Sequence, residues 1–160
     1  MAPTFPSTTA PFVLAGLLAL AAAPSVAQSQ PSPKAQTVAS GLQNPWAVAF
    51  LPDGRFLVTE RPGRLRVVNA DGQVQPAVQG LPEVAAGGQG GLLDVITDSA
   101  FASNRTIYFC FSEPGKGTTN STALARARLS QDAKRLEDVK VIFSQQPKFS
   151  STAHFGCRIV

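Results

Sequence analysis

One histidine occurs in the 160 residues, His154, inside the stretch TAHFGCRIV. An imidazole titrates near about pH 6.5, which makes it the side chain best suited to take a proton from an alcohol in neutral water. His154 is therefore a candidate general base, with a satisfied structural histidine in an apolar segment as the alternative. Gln89 is the second candidate, in AAGGQGGLLDV, where Gly87, Gly88, Gly90 and Gly91 either let the backbone approach a ligand or simply build a tight loop. The stretch lacks the Lys-Ser/Thr pair of a phosphate cradle and no helical pattern follows it. Cys157 lies close after His154 but is expected to turn into a strand rather than act as a nucleophile.

Cys110 and Cys157 are the only cysteines, and both sit in apolar, strand-like runs. A buried free thiol is the expected state of each, with a bridge as the alternative if the protein is exported. Two distant thiols and one histidine do not make a zinc site, so no metal ligand is expected among these residues.

The elements that must position the two candidates are short strands. WAVAFL (46–51) runs into Pro52-Asp53-Gly54, FLVTE (56–60) into Pro62-Gly63, and RLRVVN (64–69) into Asp71-Gly72. Pro76 confines a weaker fourth strand, QVQPAV, to an edge. A second set follows in GLLDVI (91–96), TIYFCFS (106–112), TALARARLS (122–130) and VKVIFS (139–144), and CRIV would open a third. TIYFCF is apolar at every position but the first, as a strand covered on both faces requires. Strands closed by Asp-Gly and Pro-Gly turns predict antiparallel meanders, and a repeated four-stranded meander predicts an all-β fold, a β-propeller. A β-sandwich is the alternative. In a propeller the first strand of each blade lines the central channel, so residues just ahead of it crown the channel mouth. Gln89 and His154 both occupy that place.

The remaining features bound the class. Residues 1–27, with the apolar run FVLAGLLALAAAP and small residues at Ser25 and Ala27, are expected to be a cleaved secretory signal peptide. A Pro/Ser/Gln linker over 28–36 precedes the domain, 37–160. No membrane span is expected after cleavage, and the apolar run is itself too short to cross a bilayer. The net charge of +4 is scattered, with Arg64/Arg66 and Arg126/Arg128 alternating with apolar residues, as on the wet face of a strand. No basic stripe interleaved with aromatics is present, so nucleic acid is not an expected partner.

Taken together, NPWAVAFLPDGRFLVTERPGRLRVV, GGQGGLLDV and HFGCRIV resemble the soluble aldose sugar dehydrogenases of the glucose/sorbosone dehydrogenase family, which use pyrroloquinoline quinone (PQQ). The resemblance runs from about Thr37 to Val160. It implies a six-bladed propeller, of which this chain would carry two blades and the first strand of a third, a piece lacking most of the cofactor site and inactive alone. It also implies that Gln89 contacts the cofactor. His154 would remove the hydroxyl proton of an aldose while hydride passes from that carbon to a quinone carbonyl carbon. The calcium ligands, the cations that clamp the cofactor and the acidic partner of the histidine are expected beyond residue 160. Partners would be a small sugar and an external electron acceptor, in the periplasm or outside the cell. Cys157 departs from the family, which often has glycine or serine there, and Arg158 is expected to be structural. A non-catalytic propeller module and a calcium-dependent, lactonase-like propeller are the competing functions.

Overall fold

Strands form where runs of β-branched and aromatic residues are closed by turn residues. In the computed structural model β1 (Pro45–Phe50), β2 (Phe56–Glu60), β3 (Arg64–Val68) and β4 (Val74–Ala77) pair in chain order as one antiparallel sheet. A second sheet repeats the order with β5 (Leu92–Thr97), β6 (Thr106–Pro114), β7 (Asn120–Leu129) and β8 (Leu136–Ser144). The structure describes residues 32–160, so the expected signal peptide and the first four residues of the linker lie outside the described residues. The chain divides into Met1–Ala35 and Gln36–Val160, and the two sheets belong to the second unit.

These sheets are two blades of a propeller, the all-β architecture predicted from the repeated meander. The innermost strands β1 and β5 lie against each other. Thr59 stitches the blades: its Oγ1 donates to Leu93 O at 2.6 Å and accepts from Ala47 N at 3.0 Å. Pro76 does sit in an edge strand, β4, where its missing N–H costs no ladder bond.

Between the blades the core interlocks large against small. Ile107, Phe109 and Phe111 of β6 stand opposite Ala127, Ala125 and Ala123 of β7, and all six are buried. The alanines leave room for the rings, which share one buried cluster with Leu57, Leu65 and Val67 of the first blade. Each large side chain so buried contributes about 1.5–3 kcal/mol. Strand parity turns Cys110 to the other face of β6, away from Phe109 and Phe111.

Residues 157–160, read as the first strand of a third blade, have no ladder partner among the described residues, and the N–H of Ile159 donates to Asp94 Oδ2 at 2.9 Å. Two sequence expectations change. Arg64 and Arg66 do not merely wet a strand face, because both turn toward the buried carboxylate of Glu60. Cys110 and Cys157 are not free thiols; they are joined as a disulfide, Cα to Cα 6.5 Å. Parity is the reason: it aims the Cys110 sulfur at the one segment, 157–160, that runs along that face. A four-residue helix, α1 (Phe101–Asn104), is also present without a periodic signal, nucleated by Asp98 Oδ1, which accepts from Ala100 N and Asn104 Nδ2 at 2.9 Å each.

Candidate active site

The loop before β5 and the segment 149–159 meet through their backbones. Gln89 N donates to Thr152 O at 2.8 Å, and His154 N donates to Gln89 Oε1 at 2.8 Å. Two residues 65 positions apart are thus directly bonded. Glycine makes the approach possible. Gly88, at φ +54, lies so close to Thr152 O that a Cβ would overlap it, and a Cβ on Gly91 would overlap the carbonyl of Arg61 in the first blade. The glycines therefore build a tight loop, and the close neighbours it admits are the Thr152 and Arg61 carbonyls of the chain itself.

A cavity of about 160 Å³ opens where these loops meet, lined by Trp46, Gln89, Leu93, His154, Phe155 and Gly156. Trp46 is half-exposed and is the second residue of β1, the innermost strand of the first blade. Sequence reasoning missed it, because that reasoning looked in the loops ahead of innermost strands and Trp46 lies within one. A second depression of about 330 Å³, lined in part by Asn120, Thr122, Ser151 and Phe149, borders His154 on its other side.

Trp46 is held by a charged network beneath it. Glu60, fully buried, accepts from Gln43 N and from Arg64 Nε at 2.5 Å each, and Arg64 Nη2 reaches Gln43 Oε1 at 2.8 Å. Arg66 Nε stands 3.3 Å from the same carboxylate without hydrogen-bond geometry. Next in the chain, Arg61 places its guanidinium 6.0 Å from the Trp46 ring centroid, and its N–H donates to Asn44 O at 3.0 Å. The segment leading into β1 is thereby fixed on the turn that follows β2.

His154 is exposed and held by its neighbours rather than by its own ring. Its φ is +49 and that of Cys157 is +93, a conformation that costs a non-glycine residue about 1–3 kcal/mol. The strain is offset by ties from the second blade. Thr122 Oγ1 donates to Phe155 O at 2.6 Å, Asn120 Nδ2 to Ser151 O at 2.8 Å, and Asp94 Oδ2 accepts from Ile159 N. Arg158 is exposed, and its Nη1 stands 3.9 Å from Asp94 Oδ2, a loose pair.

Glu113 anchors the approach to this segment. It accepts from Lys148 Nζ and from Ser144 Oγ at 2.5 Å each. Burial pushes the carboxyls of Glu60 and Glu113 up, but the hydrogen bonds and charges of Arg64 and Arg66 at one, and of Lys148 and Ser144 at the other, outweigh it and hold both below the ordinary 4.5. A carboxyl depressed in the folded state stabilises fully above its unfolded value and loses that contribution as pH falls through the folded one. Thermal unfolding followed from neutral pH downward should therefore stay level to about pH 5 and then fall. The fall should be shallower in Glu113→Gln, which has no such carboxyl to protonate.

Among the described residues no group of three or more His, Cys, Asp or Glu side chains converges as a metal site. The cavity residues do fit one wall of a flat, polar cofactor. Trp46 offers an aromatic face, and Gln89, whose oxygen is taken by His154, keeps its amide Nε2 as a donor.

A family sequence model described as Glucose / Sorbosone dehydrogenase matches residues 42–160. The chain is 43% identical over 120 residues to the aldose sugar dehydrogenase YliI of Escherichia coli K12, covering 74% of this chain and 32% of that protein. Among solved structures, a glucose dehydrogenase superposes with a TM-score of 0.75 at 49% identity over 78% of this chain and 36% of its own. The soluble aldose sugar dehydrogenase of E. coli in its apo form gives 0.74 at 40% identity, over 78% of this chain and 36% of its own. The PQQ-bound form of an aldose sugar dehydrogenase from Streptomyces coelicolor gives 0.62 at 27%, over 70% and 33%. The chain spans about a third of the length of these relatives.

Proposed function

The chain belongs to the glucose/sorbosone dehydrogenase family, and from that premise we propose that the complete protein oxidises an aldose sugar with His154 as general base and Gln89 as a cofactor contact. The observation that carries the reading is the meeting of these two residues with Trp46 at one cavity, bonded to each other at 2.8 Å.

When bound, PQQ supplies the two-electron acceptor for hydride from the sugar carbon. Everything else falls to the chain's own side chains. His154 takes the proton of the hydroxyl being oxidised, which requires a neutral imidazole with a ring nitrogen free to accept. Gln89 acts at both ends of its amide: Oε1 fixes the His154 backbone, and Nε2 is available to donate into the cavity. Trp46 and Leu93 complete the cavity wall beside Gln89 and His154.

Calcium belongs to the proposal only for the complete protein, since no residue described here is assigned to it. We also read the protein as exported to the periplasm or beyond. The small-residue site after the apolar N-terminal run supports this, as does the Cys110–Cys157 bridge, which persists in an oxidising compartment. Among the described residues no helix is long and apolar enough to cross a membrane.

The test is dye reduction with aldoses by the complete protein loaded with PQQ; no reduction with any aldose refutes the reading. Gln89 separates its two roles. Gln89→Glu keeps an oxygen for the His154 N–H but replaces the donating amide with a negative charge, so the apparent affinity for PQQ should weaken about five- to tenfold while kcat at saturation changes little. Gln89→Ala loses both ends and should lower both quantities. Equal PQQ affinity in all three proteins would remove Gln89 from the cofactor site.

A further inference from the structure

The disulfide is the covalent tie on the histidine segment, and the proposed chemistry does not call on it. Cys110 lies in the middle of β6, a strand paired on both edges and packed on the buried faces of both blades' core residues, and is 1% exposed. Cys157 closes a turn in which His154, Gly156 and Cys157 all have positive φ, at +49, +61 and +93. A turn with so many residues in the left-handed region relaxes unless its surroundings over-determine it. The hydrogen bonds from Gln89 and Thr122 act at His154 and Phe155, and the one from Asp94 acts at Ile159. Between those points the chain is tied by the bridge, to a buried strand paired on both edges, and otherwise only by the loose Arg158–Asp94 pair at 3.9 Å.

We propose that the Cys110–Cys157 bridge is a positioning device for the candidate base: it holds the 154–157 turn in its left-handed form so that His154 stays at the cavity, and turnover depends on it. The kinetic consequence rests on the sugar-oxidation reading, whereas the positioning of the turn rests on geometry alone. Cysteine is also an unfavourable residue for a φ of +93. Its presence there makes sense if the cross-link, rather than backbone preference, sets that conformation.

The test uses the complete protein and Cys110→Ala, Cys157→Ser and Cys157→Gly. The native protein should take up no alkylating reagent at Cys110 or Cys157 until reduced; free thiols at these positions overturn the proposal. All three variants should show faster amide exchange at His154 and Phe155 and a kcat lower by about tenfold, with KM nearly unchanged and the acidic limb of the pH profile displaced. Cys157→Gly is the discriminating variant, because it suits the positive φ yet cannot bridge. Wild-type kcat and exchange in it would show that backbone conformation suffices, and overturn the proposal. A lowered unfolding temperature with kcat, pH profile and exchange all unchanged would make the bridge merely structural, and equally overturn it. If the wild-type protein oxidises no aldose, the functional reading fails by itself, and the exchange rates still decide whether the bridge holds the turn.

Discussion

Replacing His154 with alanine in the complete, PQQ-loaded protein is expected to lower kcat for aldose oxidation by about 10²–10⁴-fold, the range that a positioned general base contributes. The fold should tolerate the change. His154 is exposed and its tie to Gln89 runs through the backbone N–H, which alanine retains. Circular dichroism and the unfolding midpoint of His154→Ala should therefore match those of the parent, and PQQ affinity should change less than kcat. Stopped-flow reduction of the loaded enzyme by excess aldose isolates the chemical step from reoxidation by the dye. Undiminished turnover in this variant would take the imidazole out of the reaction. A matching loss in His154→Gln, which keeps polarity but cannot accept and carry a proton at that site, would bind the effect to basicity rather than to shape.

Glu60→Ala should be the most destabilising single polar substitution in the first blade, by about 3 kcal/mol. The carboxylate is fully buried and accepts from the Gln43 N–H and the Arg64 guanidinium, with Arg66 close by. Its removal leaves buried donors unmet and two arginines turned toward an empty site. The figure sits at the low end for a broken buried pair because Arg64 and Arg66 retain 33% and 23% side-chain exposure and can recover some hydration. Denaturant unfolding at neutral pH measures it as a shift in midpoint at constant slope. Glu60→Gln should lose less, since an amide oxygen can still accept from Gln43. The effect should reach the cavity, because this network fixes the segment that presents Trp46 and Arg61; the tryptophan emission of Glu60→Ala should shift under conditions where the protein remains folded. An unchanged midpoint would mean that Glu60 is not the organising charge of the first blade.

Strand periodicity and turn chemistry are local properties, and the sequence by itself determined them. The β-formers of FLVTE, the alternation in RLRVV, the Asp-Gly and Pro-Gly turns, and Pro76 on an edge each follow from side-chain direction or backbone freedom within a few residues. The repeat of four strands then located Gln89 and His154 ahead of innermost strands. The tertiary structure decided which distant groups meet. Glu60 carries no mark in the sequence that separates it from an ordinary surface carboxylate; only the folding of Gln43, Arg64 and Arg66 around it makes it a buried hub. Trp46 became a site residue when β1 was packed against β5. The cysteines read as free thiols because apolar runs bury sulfur, and a bridge needs two Cβ atoms within a few ångströms, a distance that a sequence separation of 47 leaves open. CRIV has the composition of a strand, but a strand is a relation to a neighbour, and among the described residues its Ile159 N–H meets Asp94.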